Sequence, residues 1–325
     1  MLRNVLVPLD GSALAERALP YATELARAAD ASLTLVRTAD VRPRLHLGLA
    51  HLLPEDPASY LNMHADSLRT CGLVVDTAVA LGEPPRALVS EIEHRRPDLV
   101  VMSTHARSGF DRLVHGSVTD TVVSHGGCPV MLVPAEAGSG ASGAPRLAAK
   151  RVVVPLDGSR FSEAALPMAV DLARALGSEV LLVQAIIPLY PLPTDLELLT
   201  PSIVDQEQSL ADTEDAVADY LDGLAYRLSV SERGVGVTAL ARIGQLPEVI
   251  GELNNTAQGQ VNSSIGLVVM ATHGRIGLAR AILGGDADAV VRADDLPLVL
   301  VHPQGAEPAP DEALARSAQG EHRHA

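Results

Sequence analysis

The chain contains the same segment twice, and this repeat limits its possible folds more than any other feature. VLVPLDGS at 5–12 returns as VVVPLDGS at 152–159, a shift of 147 residues, and the match continues without a gap through the helical pattern that follows. VVMSTHARSG at 100–109 returns as VVMATHGRIG at 268–277, now shifted by 168 residues. Repetition over this length indicates two copies of one domain, the second with 21 extra residues.

Composition supplies the domain boundaries. The Gly/Ser/Ala-rich stretch between the copies is typical of a flexible linker, and the polar C-terminal stretch, rich in Ala, Glu and Pro, predicts disorder. The predicted divisions are a first domain at 1–135, a linker at 136–150, a second domain at 151–303 and a disordered tail at 304–325. The extra residues of the second copy fit two loop insertions, near 186–201 and near 254–264.

Within each copy, short apolar runs alternate with helical patterns. The runs NVLVPL, SLTLVRTA, LVVDTAVAL, LVVMST and VMLVP are continuous, which is typical of parallel strands covered on both faces. Between the first two runs, apolar residues recur at helical spacing after Ser12, a predicted N-cap, and Pro20 and Pro167 should kink the first helix of each copy. Further helices are predicted around Leu61 and, after a Pro-Pro pair, around Leu88. The alternation predicts an α/β fold, with two doubly wound domains in tandem.

Charge and cysteine content narrow the function. The chain has 40 Asp and Glu against 25 Lys and Arg, a formal net charge of −15, which disfavours nucleic acid and anionic membrane as partners. No run reaches the roughly 18 uncharged apolar residues of a membrane span. Cys71 and Cys128 form no disulfide framework, so we predict a cytoplasmic, reduced protein. Cys71 is predicted in the core at a helix end, and Cys128 is predicted buried where the fifth strand begins.

Ligands of an open α/β sheet bind beyond the carboxyl ends of its strands, where the winding reverses. Two such ends carry small polar residues: the PLDGS segment with Asp10 (Asp157 in the second copy), and the loop after LVVMST. If these strands are neighbours, a carboxylate faces a small-residue loop across a crevice. That arrangement suits a nucleoside phosphate, because the carboxylate accepts from ribose or base and the N–H groups of the loop and helix start bind phosphate.

These same residues resemble the universal stress protein family. The PLDGS opening and the run S/A-x-x-A/G-x9-G-S/G are similar to the family's pattern, whose ATP-binding members carry G-x-x-G-x9-G-S/T, and the resemblance covers nearly all of both copies. It implies a five-stranded parallel sheet ordered 3-2-1-4-5 in each domain, with ATP in the crevice between strands 1 and 4. It also implies pairing of two domains through their fifth strands. Here CPVMLVP and LPLVLVH could form that pair within one chain, and a homodimer is a further expectation.

The resemblance also implies which residues would hold ATP, with or without Mg²⁺. From the sequence itself we predict no catalytic residue and no protein-bound metal, because no paired general base and nucleophile can be identified. In the first copy the implied residues are Pro8, Asp10, Thr38, Ser103, Ala106, Arg107, Gly109, Gly116, Ser117 and Val118. In the second copy they are Pro155, Asp157, Ala185, Ala271, Gly274, Arg275, Gly277, Gly284, Gly285 and Asp286.

Neither copy matches the ATP-binding pattern in full. Ser103 and Ala106 replace the two loop glycines of the first copy, and Ala106 places a Cβ where the backbone would approach phosphate. In the second copy Ala271 replaces the first glycine, and Gly285 replaces the residue with a hydroxyl group. Asp286 then lies in the first helical turn, where it would repel a triphosphate unless Mg²⁺ bridged the two.

Three functions therefore remain open. The first is a stress-response or signalling protein that binds ATP, or another adenine nucleotide, without substantial turnover. The second is a nucleotide-free interaction module, in which Asp10 and Asp157 are only turn residues. The third is a slow ATPase or autophosphorylating protein, supported only by analogy and by the nearby hydroxyls. His105 and His273 follow strand ends, but no partner at ligand spacing accompanies them, so we interpret them as packed or capping residues.

Overall fold

The computed structural model describes residues 1–39, 56–104, 117–135, 147, 151–187, 203–256, 264–272 and 296–303. In the first copy the described elements are β1 (Asn4–Pro8), α1 (Ala13–Glu16), α2 (Ala18–Ala29), β2 (Ser32–Ala39), α3 (Pro57–Thr70), β3 (Val75–Leu81), α4 (Pro84–Arg95), β4 (Leu99–Thr104), α5 (Ser117–His125) and β5 (Val130–Pro134). In the second copy they are β6 (Arg151–Pro155), α6 (Arg160–Glu163), α7 (Leu166–Leu176), β7 (Val180–Ile186), α8 (Ile203–Ser231), β8 (Val237–Ile243), α9 (Leu246–Thr256), β9 (Ile265–Ala271) and β10 (Leu298–Val301).

The described strands form one ten-stranded sheet in the order β3-β2-β1-β4-β5-β10-β9-β6-β7-β8. Neighbouring strands within each copy are parallel, as the continuous apolar runs require. At the centre of the sheet β5 and β10 are antiparallel, with Met131 opposite Val299. The α/β fold class is thus confirmed.

Two layers of helices cover the sheet. On one side, which we call face A, α2, α3, α7 and α8 bury residues such as Leu25, Leu61, Leu172 and Leu221 against the strands. The other side, face B, is covered by α4, α5 and α9. Each cluster contains residues from both copies, so the two copies share their cores.

The first helical segment of each copy begins as predicted and then divides. Ser12 Oγ accepts a hydrogen bond from the Ala15 N–H at 3.1 Å, which confirms the N-cap. The predicted kink at Pro20 and Pro167 is wrong. Each proline lies in the first turn of a second helix, α2 or α7. A proline is tolerated there because the first-turn N–H groups have no partner within the helix.

The structure shows where the extra residues of the second copy lie. The shift between the copies is 147 residues at Val5/Val152, becomes 162 at the start of β3 and β8, and is 168 in β4 and β9. The stretches before α3 and before α8 are nearly equal in length, whereas α3 has 14 residues and α8 has 29. α8 is therefore 15 residues longer than α3, while the loop insertion predicted near 186–201 lies almost entirely outside the described residues.

Three further predictions concern α9 and the two cysteines. Residues 254–256, placed in the second loop insertion, form the last turn of α9. Cys71 caps the end of α3 but is exposed, so its placement in the core was wrong: it follows the last buried turn of the helix. Cys128 is buried, as predicted, and burial raises the pKa of its thiol to about 12, which leaves it unreactive at neutral pH.

The linker and the tail fall mostly outside the described residues. Within the predicted linker the structure describes Leu147, which is 2% exposed and whose N–H donates to Glu24 Oε1 at 2.9 Å. This part of the linker is therefore docked onto the first copy. Among the described residues, no helix is both long enough and apolar enough to cross a membrane.

Candidate functional site

The structure brings the two predicted strand ends together in each copy. β1 pairs in parallel with β4, so the turn after β1, with Asp10, lies at the same sheet edge as Ser103 and Thr104 at the end of β4. In the second copy β6 pairs in parallel with β9, which places the Asp157 turn at the same edge as Ala271. Each copy thus has a crevice at the point where its winding reverses.

Asp10 and Asp157 shape the turns in which they lie. Asp10 Oδ1 accepts from the Ser12 N–H at 2.8 Å, and Asp157 Oδ1 accepts from the Ser159 N–H at 2.9 Å and from its hydroxyl at 2.6 Å. The glycine after each aspartate has a positive φ, which these tight turns require. Both aspartates thus accept hydrogen bonds within their turns, and whether they also contact a ligand stays a prediction. Both side chains are exposed, however, so a carboxylate oxygen can also accept from a ligand.

Asp157 is a carboxylate at neutral pH. Burial raises the pKa of this carboxyl, but hydrogen bonds from Ser159 and Ser162 outweigh burial and hold the pKa below its ordinary value. The second crevice therefore presents a fixed negative charge beside the end of β6. Such a charge attracts the donor groups of a ribose or base and repels phosphate, so phosphate would have to lie on the β9 side.

Two buried hydroxyls at the end of β4 have no hydrogen-bond partner within the described part of the chain. They are Ser103 Oγ and Thr104 Oγ1, and Thr104 is 2% exposed. A buried hydroxyl without a partner costs free energy, so its presence at a strand end is a signal of a ligand contact. At the position of Ser103 the second copy has Ala271, which offers no such group.

The remaining described site residues lie around these strand ends. Pro8 and Pro155 are the last residues of β1 and β6. Thr38 and Ala185 lie near the ends of β2 and β7, and Ala185 and Val118 pack against the face B core. Because side chains alternate along a strand, Thr38 shares face B with Val36. Ser117 begins α5, whose first backbone N–H groups have no acceptor within the helix.

The other predicted site residues lie outside the described residues. They are Ala106, Arg107, Gly109 and Gly116 in the first copy, and Gly274, Arg275, Gly277, Gly284, Gly285 and Asp286 in the second. His105 and His273 also fall there. The phosphate-binding part of the site thus remains a prediction.

Each copy also contains a tyrosine–glutamate pair that our sequence reasoning missed. Tyr60 on α3 donates to Glu16 Oε1 at 2.8 Å, and Tyr220 on α8 donates to Glu163 Oε1 at 2.8 Å. The glutamates match at the shift of 147, but the tyrosines match at 160, which differs from the 162 that relates β3 to β8. An ungapped comparison of the copies therefore does not align the tyrosines, and only their common contact reveals the match.

Both phenols are held in the neutral form. Burial, the hydrogen bond to Glu163 and the charge of that glutamate raise the pKa of Tyr220 to about 12. Burial and the contact with Glu16 raise the pKa of Tyr60 even further above its ordinary value. In both cases the neighbouring carboxylate disfavours a second negative charge.

We expect these tyrosines to make the fold sensitive to alkali. A phenol whose pKa is raised by folding stabilises the protein below pH ~10, and that stabilisation is lost as the pH rises towards 12. Tyr60→Phe and Tyr220→Phe should each remove one late phase from the tyrosinate absorbance titration and flatten the alkaline loss of unfolding free energy. If the absorbance titration of either variant matched that of the parent, the assignment would be wrong.

Comparison with known proteins agrees with this architecture. The family model described as "Universal stress protein family" matches residues 1–134 and 148–302. A universal stress protein of Methanocaldococcus jannaschii is 27% identical over 140 residues, which is 41% of this chain and 82% of that protein. It therefore matches about one copy.

Solved structures match the whole tandem chain. A universal stress protein from Archaeoglobus fulgidus superposes with a TM-score of 0.60 at 16% identity, covering 94% of this chain and 97% of that one. A functionally unknown protein from Pseudomonas aeruginosa gives a TM-score of 0.60 at 15% identity, covering 98% and 96%. At such identities the structures support the fold, while the family model matches most of the sequence in both copies. With the fold, the repeated strand-end turns and this match in agreement, the chain belongs to the universal stress protein family.

Proposed function

We propose that this protein is a stress-response or signalling protein that binds an adenine nucleotide, ATP, at the crevice between strands 1 and 4 of its copies, without substantial turnover. The main support is the position of the Asp10 turn, which lies at the same sheet edge as the unpartnered hydroxyls of Ser103 and Thr104. This arrangement suits a nucleotide. The carboxylate on one side of the crevice can accept from ribose or base, and the hydroxyls on the other side can donate to phosphate.

In this proposal different residues contact different parts of the nucleotide. Asp10 accepts from ribose or base, and Thr38 lies beside the base on face B. Ser103 donates to the phosphates, and the helix start at Ser117 attracts them through its N–H groups and dipole. Mg²⁺ would come with the nucleotide, because the proposal assigns no metal ligand to the protein.

The first copy is the better supported of the two sites. It combines the unpartnered Ser103 and Thr104 hydroxyls with Ser117 at the helix start, whereas the second copy has Ala271 and Gly285 at the positions of Ser103 and Ser117. We therefore propose that ATP binds more tightly to the first copy.

Isothermal titration with ATP and Mg²⁺ tests the proposal. Asp10→Asn keeps the oxygen that accepts from Ser12 but removes the charge, so it should preserve the turn and weaken ATP binding about 10- to 100-fold. Asp66→Asn, at an exposed carboxylate on α3, should leave the affinity unchanged. No heat from the parent protein at millimolar ATP would exclude the proposal, and so would equal affinities of the parent and D10N. Labelled ATP should remain intact during the incubation.

A nucleotide-free interaction module is the second candidate, favoured by Ala271 and Gly285, which remove groups that would contact phosphate. Thermal unfolding separates the two candidates, because a ligand present at 100 times its Kd stabilises the folded state by about 2.7 kcal/mol. An unaltered melting temperature at such an ATP concentration would favour the interaction module.

We further propose that the β5–β10 contact is the interface that joins two domains, 1–135 and 151–303, within one chain in solution. It is supported by the hydrogen-bonded register of these strands and by the buried side chains along it. A cytoplasmic location is part of the same proposal, because the free thiols Cys71 and Cys128 are typical of a reducing compartment.

A further inference from the structure

The two copies carry different residues at one matching position on face A. Arg37 is third from the end of β2, and Gln184 is third from the end of β7, at the shift of 147 residues that relates β1 to β6. The strand registers agree, since Leu33 pairs with Val5 and Val180 with Val152. Both side chains point to the side where a tyrosine–glutamate pair lies.

In the first copy Arg37 fills the space beside this pair. Its guanidinium carbon lies 4.5 Å from the centroid of the Tyr60 ring, and its Nη2 would be 2.9 Å from a Cβ on Gly11. Arg37 Nη1 is buried and has no hydrogen-bond partner within the described residues. With the guanidinium over its ring, Tyr60 is only 3% exposed. The first copy thus encloses a planar cation of its own between the Gly11 turn and Tyr60.

In the second copy the matching space is open. Gln184 is shorter and neutral, and its Nε2 is 4.0 Å from the position of a Cβ on Gly158. A wide-open surface cavity of about 500 Å³ lies here, and the residues that line it include Gly158, Gln184, Asp212, Val217 and Tyr220. Tyr220 is only half-buried, and Gln184 Oε1 is a buried acceptor without a partner in the described part of the chain. The second copy has the same ring and glutamate, but no cation lies over the ring among the described residues.

The surroundings of this cavity favour a positive ligand. Asp212 lines it, Glu163 accepts from the Tyr220 hydroxyl, and the charge of Asp157 acts on the same phenol. Arg227 opposes them, but its guanidinium lies beside Gly223, which is beyond Tyr220 along α8 and does not line the cavity. Among the described residues, these carboxylates outnumber the one guanidinium, which disfavours phosphate and favours a cation.

The shape of the site selects among cations. A guanidinium is planar, stacks on an aromatic face and carries a fork of N–H donors, so it matches both the Tyr220 ring and the unpartnered Gln184 oxygen. An ammonium group would be attracted by the carboxylates, but it has no flat face to stack on the Tyr220 ring and no planar set of N–H donors. We propose that the cavity of the second copy binds the guanidinium group of a small molecule, in the place where the first copy holds Arg37. This site lies on face A, beside the Asp157 turn that also borders the proposed nucleotide crevice of the second copy.

Titration of the full-length protein with ethylguanidinium tests the proposal. We expect one site per chain, weaker binding of ethylammonium, and no binding of neutral urea. Tyr220→Leu should weaken binding about 2- to 30-fold, because it removes the cation–π contact. No detectable binding of ethylguanidinium at millimolar concentration, or equal binding of all three compounds, would overturn the proposal.

Reciprocal exchange of the matching residues provides the decisive control. Gln184→Arg should fill the cavity from within the chain, as Arg37 does in the first copy, and abolish binding. Arg37→Gln should open the first copy and raise the number of sites from one to two, a gain that misfolding does not produce. Unchanged binding by Q184R, or a single site in R37Q, would refute the assignment. A peptide with a central arginine is the second probe: if it binds while ethylguanidinium does not, the small-molecule assignment is wrong.

Discussion

A Val299→Asp variant is expected to lose more than about 4 kcal/mol of unfolding free energy. Val299 is fully buried in β10, opposite Met131 of β5, at the centre of the ten-stranded sheet. An aspartate there would bury a carboxylate between the two copies without a cation to pair with it. Urea unfolding of the variant and of the parent protein measures the loss.

The matched control is Val74→Asp, because Val74 is 68% exposed. The same change of residue should alter the unfolding free energy there by no more than about 0.5 kcal/mol. Equal effects at the two positions would show that β5 and β10 do not pair in solution. Scattering from V299D under native conditions should also show an expanded particle, since the contact between the copies is lost.

Leu25→Ala and Leu172→Ala are each expected to lower the unfolding free energy by about 3–5 kcal/mol. The two leucines match at the shift of 147 residues, and neither is exposed. They lie on α2 and α7, which contact each other across the two copies, and both belong to the core on face A. Because this core is shared, we expect one unfolding transition, and each substitution should move the whole of it.

Calorimetry of the two variants distinguishes a shared core from two independent ones. In independent domains, L25A would shift one of two transitions and L172A would shift the other. That result would contradict the common core. A conservative control is Leu→Met at either position, which keeps the volume and should cost less than about 1.5 kcal/mol.

The sequence predicts the strands well because their signal is local. SLTLVRTA, LVVMST and VMLVP are rich in apolar and β-branched residues, and the structure ends β2, β4 and β5 where these runs end. The length of α8 was harder to predict. The N-terminal half of this helix is largely polar, and one apolar stripe, with Val217 and Leu221, contacts face A over its last part. Composition alone does not indicate so long a helix.

The candidate site was only partly predictable. Asp10 and Asp157 are identified by the repeated PLDGS segment, and the position of the strand 1 end beside the strand 4 end follows from the family's winding. The tyrosine–glutamate pairs depend on where α3 and α8 place their side chains over the sheet, and the tyrosines are offset by 160 residues while β3 and β8 are offset by 162. The spacing within one copy does not encode that placement. For the same reason, the exchange of Arg37 for Gln184 is not interpretable until Tyr60 and Tyr220 are seen beside them.

The antiparallel contact between β5 and β10 also determines what one molecule can contact at a time. Because the two halves of the sheet run in opposite directions, the strands of the first copy end at one edge and those of the second copy end at the opposite edge. The Asp10 and Asp157 turns therefore face different surroundings, and no single small ligand spans both. A protein that docks on one edge contacts one crevice only, so the two crevices are separate contact sites.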